Sequence, residues 1–202
     1  EMTDPSSLAI VRIATSSATA LYSSGHDKEV GLLVLKLLNL FLKRGNAAQS
    51  AYWYSLYGMV LCSFNAFDLG NHFGSIASEL MNRPNAKAIK SRVMFIVNIF
   101  IFHWKNHLRS TLSPLIEAYQ LGYETGDIEF IAWNGYTYCM HSYFCGRMLQ
   151  ELEREMALYG DVLERYKQES VLNYTNVFRQ AVLNLQGKSD NPVHLKGESY
   201  DE

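Results

Sequence analysis

Apolar residues recur along this chain at the three-to-four-residue spacing of helices, not at the alternate spacing of half-buried strands. LAIVRIATSSATALY (Leu8–Tyr22) gathers Ile10, Ile13, Ala14, Ala18 and Leu21 on one predicted face, with Ser17 as a small polar interruption. EVGLLVLKLLNLFLKRG (Glu29–Gly45) is apolar nearly all round. It ends in Lys43 and Arg44 and stops at Gly45, a helix C-terminal signature. Further helices are predicted over 48–64, 67–81, 87–104, 108–121, 128–144, 148–159 and 162–185. NRPN (Asn82–Asn85), GYETGD (Gly122–Asp127) and the Cys145–Gly146 pair punctuate them. Hairpin signals for strands are absent from the pattern.

Slid against itself by about 38 residues, the chain aligns Tyr57, Phe95 and Trp133, and likewise Cys62, Phe100 and Tyr138. The fold expected is all-α, a tetratricopeptide-like solenoid of α-α hairpin repeats a little longer than the usual ~34 residues. Residues 1–186 form the helical-repeat domain in this reading. The tail 187–202, polar and aperiodic, is expected to be a linker or the start of a next element of a longer protein.

The stretch SPLIEAYQLGYETGDIEF (Ser113–Phe130) tests whether clustered acids mean chemistry. Leu112, Leu115, Ile116 and Tyr119 make an apolar helical stripe. Pro114 either opens the regular helix with Ser113 as its cap or kinks a longer one. Gly122 or Gly126 supplies a left-handed turn, Asp127 caps the next helix and Glu129 favours its positive end. The acids are then elbow chemistry.

Composition narrows the function. A net charge of −2 with no basic stripe argues against a nucleic-acid binder or an anionic-membrane surface. VMFIVNIFIF (Val93–Phe102) is too short to span a bilayer and is interrupted by Asn98. Three cysteines with no C-x-x-C pair read as free thiols of a cytoplasmic protein.

Candidate chemistry is thin. QGKS (Gln186–Ser189) lacks the upstream glycine and strand of a phosphate loop. His103 and His107 share an i, i+4 spacing that suits a metal clamp, and HLRSTLSPL has a partial likeness to a phospho-acceptor box, giving a helical phospho-carrier or metal enzyme as the alternative function. His72 and His141 stand alone among apolar residues, as core or groove histidines. Glu151, Glu153 and Glu155 read as a solvated face. No catalytic residue, cofactor or metal site is assigned. The aromatic load of 13 Tyr, 10 Phe and 3 Trp points elsewhere: rings at adjacent positions cannot all face inward. Tyr52, Tyr54, Trp133, Tyr136, Tyr138 and His141 are the predicted lining of a partner-binding groove.

Three segments, LKRGNAAQSAYWYSLYGMVL (Leu42–Leu61), HWKNHLRSTLSPLIEAYQLGYETGDIEF (His103–Phe130) and LKGESYDE (Leu195–Glu202), resemble one family. It comprises large signalling kinases, typified in cyanobacteria, that join a Ser/Thr-kinase-like domain, an AAA-type ATPase, helical repeats, a GAF domain and a histidine kinase. The resemblance covers the chain from about Leu42 onward and falls on the helical-repeat region. It implies a non-catalytic relay module whose partner is a protein, a peptide or the neighbouring ATPase or GAF domain. No family active-site residue carries over.

Overall fold

The structure is a computed structural model that describes residues 1–201. It is all-helical, and β pairing among the described residues is limited to an isolated bridge between Lys196 and Asp201. The chain divides into two compact units at Asn106/His107.

In the first unit, α1 (Pro5–Ser23), α2 (Asp27–Arg44), α3 (Ser50–Ser63) and α4 (Phe67–Leu80) follow the predicted spans closely. Asp4 caps α1 by accepting the Ser7 amide at 2.9 Å, with Pro5 pre-set for the first turn. The buried face of α1 differs from the one expected. Val11, Ala14, Thr15 and Ala18 point inward, while Ile10 and Ile13 face solvent. Thr15 is tolerated there because its hydroxyl donates to the Val11 carbonyl and accepts the Trp53 indole. α3 and α4 approach closely through glycine. A Cβ at Gly58 would stand 2.9 Å from the Gly70 carbonyl oxygen, and a Cβ at Gly70 as close to that of Gly58.

The helix expected over 87–104 is not regular. A 3-10 turn (Pro84–Ile89) leads into α5 (Lys90–Ile96), then a π-helical turn (Val97–Ile101) and a final 3-10 turn (Phe102–Trp104). The buried Asn98 side chain donates to the Met94 carbonyl at 2.7 Å, competing with the main-chain ladder at the start of the π turn.

In the second unit a 3-10 turn (Leu108–Thr111) precedes α6 (Leu112–Thr125), α7 (Ile128–Phe144), α8 (Leu149–Arg165) and α9 (Glu169–Leu185). Pro114 sits in the first turn of α6, where its missing N–H costs nothing, but the cap position is Thr111 rather than Ser113. Gly126, at φ 72°, is the left-handed residue. Gly122 lies inside α6, where a Cβ would stand 2.7 Å from Ile131 Cγ1, so it serves close packing instead. Asp127 holds the N-cap position of α7, yet its side chain makes no capping hydrogen bond. The break expected near Gly160 falls at Lys167, so α8 runs six residues beyond Tyr159, to Arg165. The cores here are Cys139, Leu152, Met156 and Val182, and Ala132, Leu163 and Val171.

Helix ends carry the regularity. α1, α3, the 3-10 turn after α5, α7 and α9 end at Ser23, Ser63, Trp104, Phe144 and Leu185, 40 or 41 residues apart rather than 38. Gly25, Asn65, Gly126, Gly146, Lys167 and Gly187 all have positive φ and close the same paired hydrogen bonds to the preceding helix. In one such cap the His26 amide reaches the Leu21 carbonyl and Gly25 reaches Tyr22. QGKS is one of these caps.

The tail expected as a linker folds back on α9. Gln180, fully buried, accepts the Ser199 and Tyr200 amides at 2.9 and 3.3 Å and donates to Asn184 at 2.8 Å. Asn184 donates to the Pro192 and His194 carbonyls, and Arg179 bridges Glu153 to Glu198. LKGESYDE is thus an internal strap over its described residues.

Candidate docking cleft

The first unit holds a cleft of about 810 Å³ between α1, α2, α3 and the π segment. Its walls are mostly apolar: Val30 and Leu35 from α2, Met59 and Val60 from α3, and Ile99 and Phe100 from the π turn. Three large rings complete it, each from the end of a helix. Tyr22 ends α1, Phe64 follows α3 and Trp104 ends the last 3-10 turn. They are 46%, 78% and 54% exposed. Phe144 holds the matching place at the end of α7 in the second unit and is also exposed. Trp104 is held by stacking on Phe67 at 4.6 Å, and Tyr22 meets Phe100 edge-on at 6.5 Å.

Polar groups in the cleft are few: Asp27 and Lys28 at the start of α2, Ser63, and His103. Burial pushes the His103 imidazole below the ordinary histidine range, partly offset by the Asn98 backbone. Its Nδ1 is buried and makes no well-formed hydrogen bond.

The predicted groove residues divide between the two units, Tyr52 and Tyr54 in the first and Trp133, Tyr136, Tyr138 and His141 in the second. Tyr52 is 2% exposed, edge-on to Trp53. Tyr54 is half-buried, stacked on Phe73 and beside Phe41. Trp133 and Tyr136 pack against Tyr174 of α9, and Tyr138 lies beneath Arg147 and against Tyr159 of α8. His141 is 4% exposed with Nδ1 2.7 Å from the Thr111 hydroxyl. Tyr52 and His141 therefore have no ring face to offer a partner. The reason is that α3 and α7 each pack against several helices, so their rings find neighbours on most sides.

Other sequence expectations also change. The helix breaks after Trp104, and His107 sits in extended backbone, its Nδ1 accepting the Arg109 amide at 3.1 Å. The shared helix face of His103 and His107 is lost. No group of three or more metal-ligating side chains occurs among the described residues. Glu155 takes a two-pronged contact from Arg147 at 2.8 and 2.9 Å, and Glu153 is held by Arg179, so neither is merely solvated. Cys62 and Cys139 are buried free thiols, and burial raises both pKa values. No helix among the described residues is long and apolar enough to cross a membrane.

Sequence reasoning missed Tyr22, Phe64 and Trp104 as a set. The signal was a recurrence of 40 to 42 residues, which the 38-residue register splits apart.

No family model matches the chain, and no solved structure matches it significantly. Hybrid signal transduction histidine kinase G of Dictyostelium discoideum is 23% identical over 159 residues. The match takes in 77% of this chain but only 5% of that protein. The similarity is consistent with a signalling role.

Proposed function

We propose that this chain is a non-catalytic interaction and signal-relay module of a multidomain signalling kinase. It is built from tetratricopeptide-like helical hairpins and works in the cytoplasm. Its cleft receives an apolar segment of a protein partner, or of a neighbouring domain such as an ATPase or GAF domain. The observation that carries this reading is the convergence of Tyr22, Phe64 and Trp104, exposed rings from three helix ends about 40 residues apart, on one apolar cleft. Large exposed rings gathered in this way favour association over further folding. The similarity to a signal-transduction kinase supplies the context.

Relay has a physical basis in the same place. Ile99 and Phe100 of the π turn line the cleft, while Ile101 of that turn packs into the space left by Gly58 and Gly74. Displacement of the π turn by an occupant therefore presses on the α3–α4 hairpin. Coupling of that movement to a nucleotide switch rests on the family resemblance.

The test is a photo-crosslinking residue placed at position 64 of the full-length protein that carries this segment. Crosslinks to one reproducible segment are expected from position 64 and not from position 16, on the exposed side of α1. Absence of any crosslink from position 64 overturns the reading. So does acid-labile phosphate on His103 or His107 after incubation with ATP.

A further inference from the structure

Resting on the docking reading, we infer that the occupant of the first-unit cleft is an amphipathic helix with acidic flanks. Three observations carry this. The first is shape. Lys28, Gly31 and Leu35 line the cleft from α2, and the same helical stripe continues through Leu38 to Leu42. From Lys28 to Leu42 that stripe runs about 21 Å, four turns of a helix laid alongside. Leu32, Leu35 and Leu42 on it are large, apolar and exposed. A small ligand enclosed in the cleft leaves this extended edge uncovered, whereas a helix covers it.

The second observation is charge. Lys28 opens the stripe beside Asp27 and Lys36 and Lys43 border it; all three lysines are exposed and make no ion pair among the described residues. The third is the asymmetry of the chain. Residues 1–106 carry ten Lys and Arg against six Asp and Glu, while residues 107–202 carry eight against fourteen. The near-neutral total hides a cationic unit, and the cleft edge contributes unpaired lysines to it. An acidic partner gains attraction and faster encounter, and a basic one is repelled.

The experiment uses two helical peptides of about four turns with one identical Leu/Phe face, one flanked by Glu and one by Lys. Fluorescence anisotropy against the whole chain is expected to show the acidic peptide binding about tenfold tighter at low salt, the gap closing near ~1 M salt. Phe64→Asp and Leu35→Asp, both at exposed positions, are expected to abolish binding while circular dichroism stays unchanged. The triple change Lys28→Glu, Lys36→Glu, Lys43→Glu is expected to reverse the preference. Equal binding of both peptides overturns the acidic assignment and leaves docking standing. Binding of neither overturns both. A dimer seen by light scattering and lost in Phe64→Asp makes a second copy the occupant and also overturns the inference.

Discussion

The indole N–H of Trp53 donates to the Thr15 hydroxyl at 2.9 Å, joining two buried side chains 38 residues apart on α3 and α1. The Thr15 hydroxyl in turn donates to the Val11 carbonyl at 2.8 Å, so both polar groups are satisfied inside an apolar core.

Thr15→Val keeps the shape and removes the acceptor. The indole N–H is then buried and unpaired, which costs about 1–3 kcal/mol. Thr15→Ser keeps the hydroxyl and should cost less. Urea denaturation of the two variants checks this, and equal midpoints would show that the bond contributes nothing.

Lys167 carries positive φ without being glycine. Lys167→Gly should raise stability by about 1 kcal/mol, because a side chain is strained in that region. Gly126→Val should lower stability by a similar or larger amount, since φ is 72° there and valine is β-branched. Thermal melts read both signs, and a fall in Tm for Lys167→Gly contradicts the cap assignment.

Gln180 holds the C-terminal strap from below. Gln180→Leu removes the acceptor of the Ser199 and Tyr200 amides while keeping the bulk. Hydrogen exchange should then accelerate at those two amides, with little change in α6 or α7. Unaltered protection would show that the strap is held by other contacts.

His103 gives a pH dependence with a definite sign. Its folded pKa lies below the unfolded value of 6.5, so the unfolded chain binds the proton first as pH falls. The stabilisation from the neutral ring is present above 6.5 and is lost as pH drops toward the folded pKa. His103→Phe should flatten the Tm profile between pH ~7 and ~5 relative to the parent chain. A profile of equal slope removes His103 as the cause.

Helix content and most boundaries were legible in the sequence, because the three-to-four-residue spacing and the turn residues are local. The elbow at Gly126 and the stop at Gly45 follow from backbone sterics alone. The irregular stretch from Pro84 to Trp104 was not legible, because the unusual turn at Asn98 depends on where a buried amide finds its acceptor. The second face of α1 was misread for a related reason. Ile10, Ile13 and Val11 are all apolar, so the local pattern does not rank them, and the face that carries Val11 and Thr15 is the one that packs inward, where Thr15 meets Trp53.

The candidate site divides in the same way. The sequence by itself determined an all-helical chain, rich in rings and punctuated by turn residues. Each of those properties is set by neighbours within a few positions. Which rings are left outside was decided only by tertiary structure. α3 and α7 are surrounded, so Tyr52 and His141 vanish into the core. Tyr22, Phe64 and Trp104 stand at helix ends, where packing runs out and the chain turns away, so they remain exposed.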